Sequence, residues 1–156
     1  MEFKKASLKF NYSKMVKLNP KNVYLIILHH SASENTSVEM IHNIHLNNGW
    51  AGIGYHYYIR EDGDIYEGRP TSYVGSHCPA NNSKSIGICL EGDFRKRKPT
   101  EAQIKSMNEL IKDLRKRFKG ISRVLNHKDL YATLCPVVNL KGMVEGTNER
   151  GDFIGN

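Results

Sequence analysis

One segment constrains the fold more than any other. Val23-Tyr24-Leu25-Ile26-Ile27-Leu28 is a short apolar run rich in β-branched residues, and it stops at His29-His30-Ser31-Ala32-Ser33. A run this short and this continuous reads as a strand buried on both faces, inside a sheet that helices cover. It is far too short to cross a bilayer, which takes about 20 apolar residues. Two imidazoles therefore stand at the C-terminal end of a central strand. That edge is where α/β sheets gather their ligands.

The rest of the chain supplies partners for such a strand. Thr36 or Ser37 can cap a helix that carries Val38, Ile41, His45 and Leu46, with Gly49 as its stop. Tyr55 to Arg60 alternates as a strand, Glu61-Asp62-Gly63-Asp64 is a tight turn, and Ile65 to Gly68 returns. Asp-Gly between two such runs signals a β-hairpin. Ser85 to Leu90 is a second short apolar strand, and Arg123 to Asn126 a last one that leads into His127. Thr100, preceded by Pro99, caps a helix through Phe118. Its apolar stripe is Ile104, Met107, Leu110, Ile111, Leu114 and Phe118, and Gly120 ends it. The expected class is α/β, a mixed central β-sheet flanked by helices. A length of 156 residues suits one domain, with a core over about 23–140. Residues 1–22 read as an N-terminal extension, and residues 145–156 as a tail or the start of a linker.

Composition narrows the partners. The formal net charge is +7, which favours anionic partners. Arg95-Lys96-Arg97-Lys98 and Arg115-Lys116-Arg117 are the dense basic runs, and each alone reads as a solvated face. No groove-reading motif accompanies them, so nucleic acid is not an expected partner. Three cysteines, Cys78, Cys89 and Cys135, cannot form a fully paired disulfide framework. This fits synthesis in a reducing compartment. The start Met-Glu-Phe-Lys-Lys lacks the apolar stretch of a signal peptide. Synthesis in the cytoplasm, without stable membrane insertion, is the expectation.

The chemistry gathers around histidine and cysteine. His127 and Cys135 lie eight residues apart after a strand, so a loop can fold back and let them share one ion. His29 can supply a third ligand across the sheet. Two imidazoles and a thiolate suit zinc, and three protein ligands leave the open position that catalysis needs. Spacing alone describes a buried cysteine beside a surface histidine equally well.

The surrounding segments decide between these. Ile27-Leu28-His29-His30-Ser31-Ala32 is followed by Gly49-Trp50-Ala51-Gly52-Ile53-Gly54-Tyr55-His56-Tyr57 and by Glu61-Asp62-Gly63-Asp64-Ile65-Tyr66-Glu67-Gly68-Arg69. Then come Val74-Gly75-Ser76-His77, Asn82, Ser85-Ile86-Gly87-Ile88, Asn126-His127-Lys128-Asp129 and Cys135-Pro136. In this order the chain resembles the zinc N-acetylmuramoyl-L-alanine amidases, the group of bacteriophage T7 lysozyme and the peptidoglycan recognition proteins. The match runs from about Val23 to Leu140.

The resemblance implies a fold of that type and a Zn2+ ion held by His29, His127 and Cys135. It makes His30 a packing or supporting residue. It implies that Tyr55 lies beside the reacting water and steadies the oxyanion. Thr133 falls where the phage enzymes carry lysine and the animal recognition proteins carry threonine, so it can donate a hydrogen bond but no charge. His45, His77 and Asn82 match positions lining the substrate groove. Trp50 reads as core, Cys89 as a small buried hydrophobe, and Glu91 as a reserve base. Cys78 receives no role.

The activity so implied is hydrolysis of the bond between N-acetylmuramic acid and L-alanine in peptidoglycan, by a monomer. Release of a phage or prophage endolysin at lysis would bring the enzyme to its substrate. A non-catalytic peptidoglycan-binding module and a cytoplasmic wall-recycling amidase are the rival readings. The proton shuttle is the open point, with Tyr55 or a solvent chain as candidates.

Overall fold

The computed structural model describes residues 1–155. Six strands form one mixed sheet: β1 (Lys4–Lys5), β2 (Leu25–His30), β3 (Tyr57–Ile59), β4 (Ile65–Glu67), β5 (Ser85–Leu90) and β6 (Arg123–Asn126). Their spatial order is β1-β4-β3-β5-β2-β6. β2 lies between β5 and β6 and is parallel to both, and β3 is parallel to β5. β3 and β4 form the antiparallel hairpin expected from Asp-Gly. Two α-helices are present among the described residues, α1 (Val38–Asn47) and α2 (Glu101–Arg117). The class is the mixed α/β sheet anticipated above, and no helix among the described residues is long and apolar enough to cross a membrane.

β2 is shifted by two residues from the expected run. Its ladder continues through His29 opposite Cys89 and His30 opposite Leu90, because β5 runs on as far as Leu90. The histidine pair thus belongs to the last two rungs of the strand rather than to a loop beyond it.

Strand alternation sorts the two faces. Ile26 and Leu28 join Ile86, Ile88 and Leu90 in the main core, under Met107, Leu110, Ile111 and Leu114 of α2. Leu25 and Ile27 face the other way, with Cys78 and Leu125. His29 follows them in register, so it points away from α2. α1 covers that second face nearby, packing Val38 and Ile41 on Ile53, Tyr58 and Cys89.

The helix ends match their chemistry. The Ser37 side chain, not that of Thr36, caps α1 by accepting the Met40 N–H. Thr100 and Gln103 form a capping box at α2, and Arg115, Lys116 and Arg117 occupy its last turn, where a positive charge complements the helix dipole. The chain ends are stitched in. β1 pairs with β4, and Phe3 packs on the main core. Residues 147 and 152–153 make bridges that bring the C-terminal segment back to β6. Asn156 lies outside the described residues.

Candidate functional site

The parallel pairing of β2 with β6 builds the site. Leu28 is opposite Asn126, so the next residues, His29 and His127, emerge side by side at the carboxyl edge of the sheet. The loop after His127 then doubles back. The Lys128 N–H donates to the Cys135 carbonyl at 2.8 Å, which returns Cys135 to the edge. There its Sγ accepts the His30 N–H at 3.3 Å.

The donor atoms converge. His29 Nδ1 is 3.2 Å from His127 Nδ1 and 4.0 Å from Cys135 Sγ. One ligand atom from each residue lies within 4.8 Å of the others. Ligands about 2.0–2.3 Å from a tetrahedral zinc stand about 3.3–3.6 Å from one another, so the spacing fits such an ion. Burial pushes the His29 imidazole well below its ordinary value, helped by the neighbouring histidines, and keeps it neutral as a ligand must be. Burial also pushes the Cys135 thiol up to about 11, partly opposed by the His30 N–H. Ionising that thiol near neutral pH therefore calls for a cation beside it.

Tyr55 stands next to the triad, with its ring 4.9 Å from that of His29. Burial, followed by nearby Cys89 and Cys135, raises its hydroxyl well above the usual tyrosine range. It stays protonated and can donate. Thr133 Oγ1 accepts the Cys135 N–H at 3.2 Å, which leaves its own proton free to point elsewhere. The imidazole of His127 stacks on the half-exposed ring of Tyr131 at 5.5 Å and 16°.

The three expected groove residues part company. His45 lies between Trp50 and Tyr55, and its Nδ1 accepts the Gly54 N–H at 2.9 Å. His77 is buried against His29. It is 7% exposed, and its ring nitrogens meet His29 Nε2 at 2.9 Å and Ser85 Oγ at 3.2 Å. Asn82 Oδ1 is spent on the backbone N–H groups of His77 and Cys78, both at 2.9 Å.

Two further expectations need correction. Trp50 is 41% exposed rather than core, because it follows the end of α1 and lays its indole against His45. Glu91 is no reserve base. Its carboxylate is held by Arg60 at 2.8 Å and by the N–H groups of Glu61 and Thr36. Burial alone would raise that carboxyl, but these partners outweigh it and hold it below its usual range.

The family model described as N-acetylmuramoyl-L-alanine amidase matches residues 19–137. The chain belongs to the N-acetylmuramoyl-L-alanine amidase family. The amidase is 36% identical over 124 residues to an endolysin of Klebsiella phage KP32, covering 74% of this chain and 82% of that protein. It is 34% identical over 125 residues to the peptidoglycan-recognition protein SC2 of Drosophila melanogaster, covering 73% and 68%. Among solved structures, the amidase LysC of Clostridium intestinale superposes with a TM-score of 0.81 at 35% identity, covering 89% of this chain and 91% of that one.

Some working parts of the amidase carried no clear signal in the sequence. Ser85 looked like an ordinary strand start. Arg69 is 3% exposed and donates to the carbonyls of Gly52, Ile53 and Val74, tying the segment that leads into Tyr55 to the loop at Val74. Its place at the end of the Glu61 to Arg69 segment that carries the resemblance is the available hint.

Proposed function

We propose that this amidase is zinc-dependent, that it cuts the bond between N-acetylmuramic acid and L-alanine of peptidoglycan, and that it acts on the wall as an endolysin does, after release from the cell that makes it. The observation that carries the reading is the convergence of His29 Nδ1, His127 Nδ1 and Cys135 Sγ within 4.8 Å, beside Tyr55.

Zinc bound there supplies a Lewis acid for the carbonyl and lowers the pKa of water towards neutrality. The residues of the chain do the rest. His29, His127 and Cys135 hold the ion. The Tyr55 hydroxyl, kept protonated by burial, donates to the oxygen on which charge develops. Thr133 offers a second, uncharged donor from the loop that carries Cys135. His45, with Trp50 laid against it, forms the wall that receives the ligand next to Tyr55. The leaving amine of L-alanine takes its proton from solvent or from the Tyr55 hydroxyl.

The test is lysis of purified cell walls followed by mass analysis of the products. Release of intact stem peptides beginning with L-alanine, stopped by chelator and restored by zinc, is expected. Binding to walls without any bond cleavage would leave only a recognition module.

A further inference from the structure

The buried imidazole of His77 is not used by the mechanism above, yet it is built into place with unusual care. Both glycines that flank it are required by its ring. A Cβ on Gly87 would lie 2.7 Å from His77 Cγ, and one on Gly75 would lie 2.7 Å from His77 Cδ2. Gly87 sits in the middle of β5, where a glycine otherwise weakens a strand. It opens a slot on the face that His29 shares. The backbone of His77 is held in turn by Asn82.

The hydrogen bonds of this slot have one consistent direction. Ser85 Oγ lies 2.8 Å from the Asn81 carbonyl. A carbonyl only accepts, so the single Ser85 proton goes there. Ser85 Oγ must then accept from His77 Nε2 at 3.2 Å, and this nitrogen carries the proton. The Nδ1 of neutral His77 is thereby a lone pair, and it accepts from His29 Nε2 at 2.9 Å. With its proton on Nε2, neutral His29 presents a lone pair at Nδ1, the atom that faces His127 and Cys135.

We infer that Asn81 carbonyl, Ser85, His77 and His29 form a relay that locks His29 in the metal-binding tautomer, with His77 and Ser85 as positioning residues for the ion. This rests on the zinc reading above. Support of this kind orients a ligating imidazole and raises its basicity, and its loss costs about 10–100-fold in metal affinity.

The test is zinc affinity measured by chelator competition on the full chain, together with the histidine tautomers of the metal-free protein by nitrogen-15 NMR. His77→Leu keeps bulk in the slot but offers His29 no acceptor, and it should weaken zinc binding about 10–100-fold. His77→Asn is smaller but places a carbonyl near the Nδ1 position, and it should recover much of the loss. A packing role would give the reverse order, leucine being nearer in volume. In the wild type, His29 and His77 should both carry their proton on Nε2. A metal-free His29 protonated on Nδ1, or a His77→Leu variant that binds zinc as tightly as the wild type, overturns the relay. A wild-type protein that binds no zinc overturns the zinc reading itself.

Discussion

His29 Nδ1 and His127 Nδ1 face each other at 3.2 Å across the junction of two parallel strands. Without an ion one of these nitrogens can donate to the other, and with an ion both can offer it a lone pair. Cys135→Ala removes the only thiolate from the set, so it should abolish stoichiometric zinc and wall lysis together. Metal analysis of the purified variant checks this. Full zinc occupancy in Cys135→Ala would show that other residues hold the ion.

Tyr55 can be separated from metal binding, because His29, His127 and Cys135 already make up a three-donor set. Tyr55→Phe should retain zinc and fold while kcat/KM falls about 100–1000-fold, the loss expected for one donor to an oxyanion. Thr133→Val should cost less, since its hydroxyl also accepts the Cys135 N–H and carries no charge. Steady-state assays on soluble wall fragments rank the two. An equal or larger effect at Thr133 would make threonine, not tyrosine, the principal donor.

Glu91 is a structural anion, 2% exposed, tying Arg60, Glu61 and Thr36 together. Glu91→Gln should lower stability by about 3 kcal/mol, at the low end for a broken buried pair because Arg60 reaches solvent. Specific activity per folded molecule should be unchanged. The carboxyl is depressed below the ordinary glutamate value of 4.5. Its contribution is therefore present above that value and lost as pH falls through the lower folded value. Denaturant titrations at neutral and acid pH measure both effects.

His56 should make the fold acid-sensitive. Its Nδ1 accepts the Gly87 N–H and its Nε2 donates to the Tyr73 carbonyl. Burial pushes it from 6.5 down to about 4. Between those values the unfolded chain binds a proton that the folded chain refuses. Stability is thus full above about pH 6.5 and falls towards pH 4, by up to about 1.4 kcal/mol per pH unit for each such histidine. His45, also lowered to about 4 by burial, adds to the slope. Thermal melts in chelator should show a shallower acid limb for His56→Gln than for the wild type. Parallel curves would remove His56 from the account.

The parts of this molecule that follow a local pattern are legible in the sequence. The stripe on α2 follows the helical period, the unbroken apolar run of β2 marks a strand buried on both faces, and Asp62-Gly63 marks a hairpin turn. The ligand set needed more than spacing, because a histidine and a cysteine eight residues apart fit several arrangements until the ordered motifs around them are considered. His77 resisted for a different reason. A Gly-Ser-His loop looks like an exposed ligand-binding turn, and only the register of β5 shows Gly87 clearing a slot behind His29. Trp50 misled because size alone favours burial, whereas its position just past α1 leaves it half in solvent. β1 is two exposed lysines, and no periodicity can announce a strand that short.

β2 receives β6 on its outer side, and this order has a temporal consequence. The three donors come from positions 29, 127 and 135, so the first waits through almost a hundred residues of synthesis for the other two. A growing chain that has not yet emerged past the loop after β6 lacks at least one of the three. On the zinc reading proposed above, the full ligand set, and with it the capacity to cut a wall, arrives only with the loop that follows the last strand of the sheet.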